Sequence, residues 1–247
     1  MLVGDTVRRM MGPWSRATHA LLSHLEKVGF VESPRLVGMD EQGREMLTYI
    51  EGETVGDTTP WPEWAWCEGT VLEVASLLRR YHAAVADFRP SELQCRLART
   101  RMTDEQVVCH NDVAPYNIVY RGGRIAGLID WDVASPAAPE WDLAFAAWQF
   151  VPLHHADLAS RLGVDATADR SHRLRLLCDG YGLERRDGFV DLIVERIEAS
   201  IEGIQNKARA GDEAFASLLA AGHVEDMVKS SDLIRYLRDD LQKAIST

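Results

Sequence analysis

Cysteine is scarce in this chain: Cys67, Cys95, Cys109 and Cys178 are the only thiols among 247 residues, and none has CxxC spacing. That argues against a disulfide-built scaffold or a zinc ribbon and predicts buried, reduced thiols. No run approaches the roughly 20 apolar residues that a membrane span needs. The N-terminus also lacks the apolar core of a secretory signal. A reducing cytoplasm is therefore the expected compartment, with no membrane partner. Positive charge is in short supply: 27 Lys and Arg face 38 Asp and Glu, for a net charge of −11. That balance argues against nucleic acid as a partner, because such surfaces need clustered basic residues. It leans instead toward tolerance of a cationic small molecule. Internal repeats and low-complexity tracts are missing as well. The remainder is ordinary globular composition, long enough for one large core or two modest lobes.

Residues 1–9 alternate so that Val3, Val7 and Arg9 share a face, which predicts one short strand. Met11-Gly12-Pro13 breaks it, and Ser15 is placed to cap a helix over 16–28 with apolar positions Ala17, Ala20, Leu21, Leu25 and Val28. Two strands over 34–39 and 45–50 flank the turn Asp40-Glu41-Gln42-Gly43. A Pro- and Trp-rich connection over 54–66 follows, then a helix from about Gly69 to Asp87 that Arg89-Pro90 stops. Beyond 140 the pattern is helical: about 141–150, 155–162, 169–180, 186–209, 212–221 and 223–245. The expected division is a small sheet-bearing part over 1–53 and a larger helical part over 54–247, interrupted by the segment 107–133.

That segment carries the chemistry. Val107 to Tyr120 contains His110-Asn111-Asp112 and Asn117, and Ile125 to Asp132 ends in Ile129-Asp130-Trp131-Asp132. Two β-prone runs flank Gly122-Gly123, a strong two-residue hairpin signal. If Arg121 and Arg124 are the first pair, Asn117 faces Leu128, and Asp130 shares that face diagonally, about 7–8 Å away. Two short oxygen-bearing side chains can bridge that gap through a cation, with Asp112 in the adjoining loop. Mg²⁺ prefers one or two carboxylates with waters and phosphate oxygens.

The spacing His110-x-Asp112-x₄-Asn117, followed by an Asp at the end of a hairpin, resembles the catalytic loop and metal-binding Asp of protein kinases. His-Asn-Asp-Val-Ala-Pro-Tyr-Asn and Ile-Asp-Trp-Asp refine this to the aminoglycoside phosphotransferase and choline-kinase-like family. Leu78 to Phe88 resembles the helix before that family's loop, and Asp142-Leu143-Ala144 its downstream support. The resemblance implies an α+β, protein-kinase-like, two-lobed fold: a small N-lobe with a short antiparallel sheet and a larger, mostly helical C-lobe. It implies ATP and Mg²⁺ as cofactors and phosphorylation of a hydroxyl on a small-molecule substrate. Asp112 would be the base, and Asn117 and Asp130 would hold Mg²⁺. His110 and Asp142 would be structural. Leu47, Thr48 and Ile50 would form the hinge, with the main chain of Thr48 and Ile50 reading adenine. Arg9 would be the basic strand residue that meets phosphate.

The chain opens on the strand that would be third in a kinase N-lobe, so the resemblance implies a shortened N-lobe without the Gly-rich loop. On the next helix Thr18 or His19 stands where the family has a Glu, and Glu26 lies two turns on. Arg9 has the plain alternative of an exposed strand residue, and Asp132 of a cap rather than a second metal contact. Trp61, Trp64, Trp66, Trp131, Trp141 and Trp148 read as packing residues rather than a stacking surface. A nucleotide-binding scaffold without turnover remains an alternative, as does a metal-dependent phosphate-ester hydrolase.

Overall fold

The structure, a computed structural model, describes residues 1–56, 58–90, 93–96, 99–100, 102–165 and 168–246. Within the 54–66 connection, Asp57 lies outside them. Its chain divides into two compact units, Met1–Gly56 with Ser76–Asp142, and Asp57–Ala75 with Leu143–Thr247. The division expected at 53 lies near the end of the first segment of the first unit at Gly56, and that unit also takes in Ser76–Asp142.

In the first unit the expected strand over 1–9 is a hairpin. Strands β1 (Leu2–Val3) and β2 (Thr6–Arg9) fold back across Gly4-Asp5, with Gly4 at φ +62°, a backbone angle glycine adopts without strain. β3 (Leu36–Met39) and β4 (Glu45–Thr48) complete an antiparallel sheet of order β1-β2-β4-β3. Its register sets Arg9 opposite Glu45 and Val7 opposite Leu47. Asp40 closes the β3–β4 turn by accepting the N–H groups of Gln42 and Arg44, both at 2.9 Å.

Helix α1 (Ser15–Lys27) follows β2. Ser15 is its first residue rather than its cap, and its Oγ accepts the Gly12 N–H at 3.0 Å. The buried stripe runs Thr18, Leu21, Leu22 and Leu25, so it is rotated from the expected one, and Val28 is exposed. Each buried leucine contributes about 1.5–3 kcal/mol. Helix α2 (Glu68–Ala84) brings its Ser76–Ala84 part into this unit. The short ladder of β5 (Leu93–Gln94) and β6 (Arg99–Thr100) comes next, then β7 (Val107–Cys109), β8 (Ile118–Arg121), β9 (Arg124–Leu128) and β10 (Ser135–Ala137). β7 pairs with β10, and β8 with β9.

The second unit is helical. α3 (Pro139–Phe150) enters it at Leu143, followed by α4 (Ala156–Leu162), α5 (Arg170–Tyr181), α6 (Phe189–Arg209), α7 (Glu213–Ala220), α8 (His223–Tyr236) and α9 (Arg238–Ile245). α6 packs on α7 and α8, and α5 on α9. The helix expected over 223–245 is broken at Leu237. No Gly or Pro marks the break. Arg238 grips Asp191 of α6 through two bonds of 2.5 Å, and Asp239 and Asp240 fall in the first turn of α9, where the helix dipole favours acids.

Among the described residues no helix is long and apolar enough to cross a membrane. All four cysteines are free. Burial pushes the Cys95 thiol up to about 11 and Cys178 up to about 12, so both stay protonated and inert.

Candidate active site

The β8–β9 hairpin turns on Gly122 and Gly123 at φ +60° and +76°, the pair of positive angles that a two-residue turn of this kind needs. Arg121 faces Arg124 and Tyr120 faces Ile125, as the sequence predicts. Then the register slips: Val119 faces Gly127 and Ile118 faces Leu128. Ala126 is the extra residue, so Asn117 does not face Leu128. It ends a single 3₁₀ turn, Pro115–Asn117, and its carbonyl accepts the Ile129 N–H at 2.9 Å. The main chain of Asn117 is thereby bonded to the residue preceding Asp130.

Asp112 and Asn117 meet directly. The Asn117 amide donates to the Asp112 main-chain carbonyl at 2.9 Å and to Oδ2 at 2.8 Å. Tyr116 Oη donates to the other carboxylate oxygen at 2.9 Å. Dehydration by the surrounding protein raises the Asp112 carboxyl above its ordinary value. The positive field of His110 and the Tyr116 and Asn117 hydrogen bonds oppose that rise, while Asp130 adds to it. Since the Asn117 amide nitrogen faces Asp112, its oxygen is turned away and is the atom that can meet a cation.

The loop carrying Asp112 hangs on Asp142, which is fully buried. One Asp142 oxygen accepts the His110 N–H at 2.7 Å and the other the Asn111 N–H at 2.6 Å. His82 adds a contact at 3.2 Å. Burial alone would raise this carboxyl; the His82 hydrogen bond, the His82 and His110 charges and the Asn111 N–H outweigh it and hold the group below its ordinary value. Asn111 takes φ +67°, and its side-chain amide ties Ser135 Oγ at 2.9 Å. The His110 ring turns to the Ile129 carbonyl at 3.0 Å, so it is the main chain of His110, not its ring, that meets Asp142. Trp131 is buried against that ring, centroids 4.6 Å apart, and against Tyr81 at 5.1 Å. His82, Cys109 and Asp142 have ligand-type atoms within 4.8 Å of one another. With both Asp142 oxygens taken by main-chain N–H groups, that trio is the hydrogen-bonded support of the loop.

Asp130, half exposed, takes φ +61° and accepts from Arg9 Nη1 at 3.3 Å. Asp132 pairs with Arg9 through Nη2, and Arg96 stands 3.7 Å from its other oxygen. Asp132 lies inside the short turn Trp131–Val133, and its carboxylate is engaged by these arginines. Arg9 is no idle surface residue: its Nε also reaches Glu45 Oε1 at 3.3 Å. Burial opposes the Arg9 charge, and Asp132, Asp130 and Glu45 together more than restore it. Glu45, 2% exposed, is further held by His19 Nε2 at 2.6 Å. Sequence reasoning looked for an acid on α1 and passed over Glu45, because only the β2–β4 register brings it opposite Arg9. Tyr116 was also overlooked, lying inside the loop with nothing but its distance from Asp112 to mark it.

In the hinge segment, Leu47 is buried and the Thr48 N–H donates to the Arg35 carbonyl at 2.9 Å. That N–H is spent within the sheet and cannot serve a purine. Ile50 follows the strand and lies over Gly127: a Cβ there would come within 2.5 Å of Ile50 Cδ1.

The oxygen set around Asp112, with Asn117 Oδ1 and the open face of Asp130, suits a hard cation such as Mg²⁺. Comparison with known proteins agrees in kind. A family model described as "Phosphotransferase enzyme family" matches residues 71–177, which include His110 to Asn117. The trifolitoxin immunity protein of Rhizobium leguminosarum bv. trifolii is 43% identical over 198 residues, 77% of this chain and 74% of that protein. Among solved structures, the GDP complex of aminoglycoside 2'-phosphotransferase-IIIa superposes with TM-score 0.52 at 14% identity, covering 93% of this chain and 87% of the other. The macrolide 2'-phosphotransferase of Brachybacterium faecium gives 0.51 at 14%, covering 94% and 84%. At such identities these likenesses establish a shared kinase-like fold. With the fold, the family model and the relative in agreement, the chain belongs to the aminoglycoside phosphotransferase family of phosphotransferase enzymes.

Proposed function

We propose that this protein transfers the γ-phosphoryl group of ATP to a hydroxyl of a small molecule, with Mg²⁺ as the metal. The observation that carries the reading is Asp112 held between the Tyr116 hydroxyl and the Asn117 amide, on a loop pinned by Asp142. Bound Mg²⁺·ATP supplies the phosphoryl group and the countercharge for it. Asp112 orients the acceptor hydroxyl and takes its proton, a role worth about 10²–10⁴ in rate. Asn117 Oδ1 and the Asp130 carboxylate are the metal ligands. Arg9, already beside Asp130, meets phosphate oxygens. Leu47 and Ile50 line the adenine side, with the Thr48 carbonyl rather than its N–H available to the base. In phosphoryl transfer the protein acts chiefly by positioning and charge neutralisation, and this set is arranged for both.

The acceptor is a small alcohol, and the acidic chain favours a cationic one. The immunity named for the Rhizobium relative adds toxic compounds to the acceptors worth testing. ADP production from Mg²⁺·ATP, screened against aminoglycosides, macrolides, choline-like amines and sugar alcohols, tests the reading. One class raises ADP production above background, and Asp112→Ala abolishes the gain while the thermal midpoint stays near that of the unaltered protein. Phosphoryl transfer retained in Asp112→Ala overturns the assignment of the base. A second reading, a nucleotide-binding scaffold without turnover, draws on Arg9 lying against the carboxylate assigned to the metal. Calorimetric binding of Mg²⁺·ATP with no turnover on any acceptor would favour it.

A further inference from the structure

Arg9 needs an acidic partner if it is to face phosphate in a fixed orientation. A guanidinium on a strand has several rotatable bonds, and an anchored end reduces the freedom lost on binding. Helix α1 offers no carboxylate in reach: Thr18 is buried and donates to the Trp131 carbonyl at 3.5 Å, and the neighbouring position is His19. The carboxylate comes from the adjacent strand instead. Glu45 is directly cross-strand from Arg9, almost fully buried, and splits its two oxygens: Oε1 meets Arg9 Nε at 3.3 Å and Oε2 meets His19 Nε2 at 2.6 Å. With Nε anchored on Glu45, the two terminal nitrogens point to Asp130 and Asp132. A buried carboxylate is costly unless both oxygens are satisfied, and here each has one partner from a different element.

We propose that Glu45 is the positioning residue for Arg9 and that His19 links helix α1 to it. The chain His19–Glu45–Arg9 then sets where the guanidinium meets the phosphates of Mg²⁺·ATP. The inference rests on the nucleotide role proposed for this site. It assigns the helix-to-strand coupling to a histidine acting through a strand glutamate, so a shift of α1 moves the phosphate contact with it.

Isothermal titration with Mg²⁺·ATP on the full chain tests it. Arg9→Ala and Glu45→Gln each weaken binding about tenfold, roughly 1.4 kcal/mol. The Arg9→Ala/Glu45→Gln double variant is no weaker than Arg9→Ala alone, because the glutamate acts only through the arginine. His19→Leu weakens binding several-fold, and His19→Gln, which keeps a donor for Glu45, restores it to within about twofold. A structural role for Glu45 would lower the nucleotide-free thermal midpoint without this non-additivity. Should Glu45→Gln fold poorly, the His19→Leu and His19→Gln pair carries the same comparison. Unchanged or tighter binding by Glu45→Gln, or additive losses in the double variant, overturns the positioning role alone. No binding of Mg²⁺·ATP by the unaltered chain overturns the nucleotide reading and this inference together.

Discussion

Asn117 holds Asp112 at two points, donating to its main-chain carbonyl at 2.9 Å and to its carboxylate Oδ2 at 2.8 Å. On the proposed reading, the side chain that offers its oxygen to the metal therefore also fixes the base. Asn117→Ala removes both functions, and the expected result is a loss of turnover of at least about a hundredfold. Asn117→Asp keeps an oxygen ligand but sets a second carboxylate against Asp112; turnover falls by a comparable factor while Mg²⁺ binding is retained. Steady-state ADP production together with Mg²⁺ titration separates the two variants.

Tyr116 is the readier partner to remove, since it lies at the surface and its hydroxyl meets Asp112 Oδ1 at 2.9 Å. Tyr116→Phe deletes one hydrogen bond to a charged group, worth about 1.5–3 kcal/mol. Turnover should fall about tenfold or more with the nucleotide dissociation constant unchanged. A rate equal to that of the unaltered protein would free Tyr116 of any part in orienting the base.

Asp142 is a stability residue with a defined pH signature. Its carboxyl is held below the ordinary 3.8, so the folded state binds a proton there less readily than the unfolded chain. The stabilisation is complete above that ordinary value and is lost as the pH falls through the lower folded one. Asp142→Ala strands two buried main-chain N–H groups and should cost about 3–5 kcal/mol near neutral pH. Urea melts at pH 7 and in the acid range below the ordinary carboxylate value would show the gap narrowing; a gap that stays constant would contradict the sign.

Gly127 is the glycine of β9, and a methyl group there meets Ile50, with Cδ1 at 2.5 Å and Cγ2 at 3.0 Å from the added carbon. Gly127→Ala must push Ile50 aside, at about 1–3 kcal/mol. If Ile50 lines the adenine site, the dissociation constant for Mg²⁺·ATP rises while the rate at saturation is kept. Fluorescent nucleotide titration reads this directly.

The loop chemistry was legible because it is local. His110, Asp112 and Asn117 lie within eight residues, and the Gly122-Gly123 turn announces a hairpin whose first two pairs follow from counting. The bulge at Ala126 was legible only as a hint: Gly127 beside it is a residue type that accompanies bulges, but only the finished ladder shows which residue is unpaired. Glu45 was hidden for a related reason. Its meaning depends on which strand lies beside β2, and the 1–9 segment read as one strand until Gly4 folded it into two. In the helical unit, the helices expected past 140 match α3 to α9 among the described residues, except that α8 and α9 were run together; the break at Leu237 carries no Gly or Pro, and Arg238 just beyond it pairs with Asp191 of α6.

Around Arg9, three carboxylates outnumber the guanidinium groups of Arg9 and Arg96. If the site takes nucleotide as proposed, that surplus would make it a counter-ion sieve. A bare nucleotide triphosphate, itself polyanionic, would then meet repulsion there, whereas one escorted by a divalent cation would arrive with the missing positive charge. On the proposed function, an order of addition is expected from this: metal and nucleotide enter as a pair or metal first, and nucleotide offered in chelator should find the door shut.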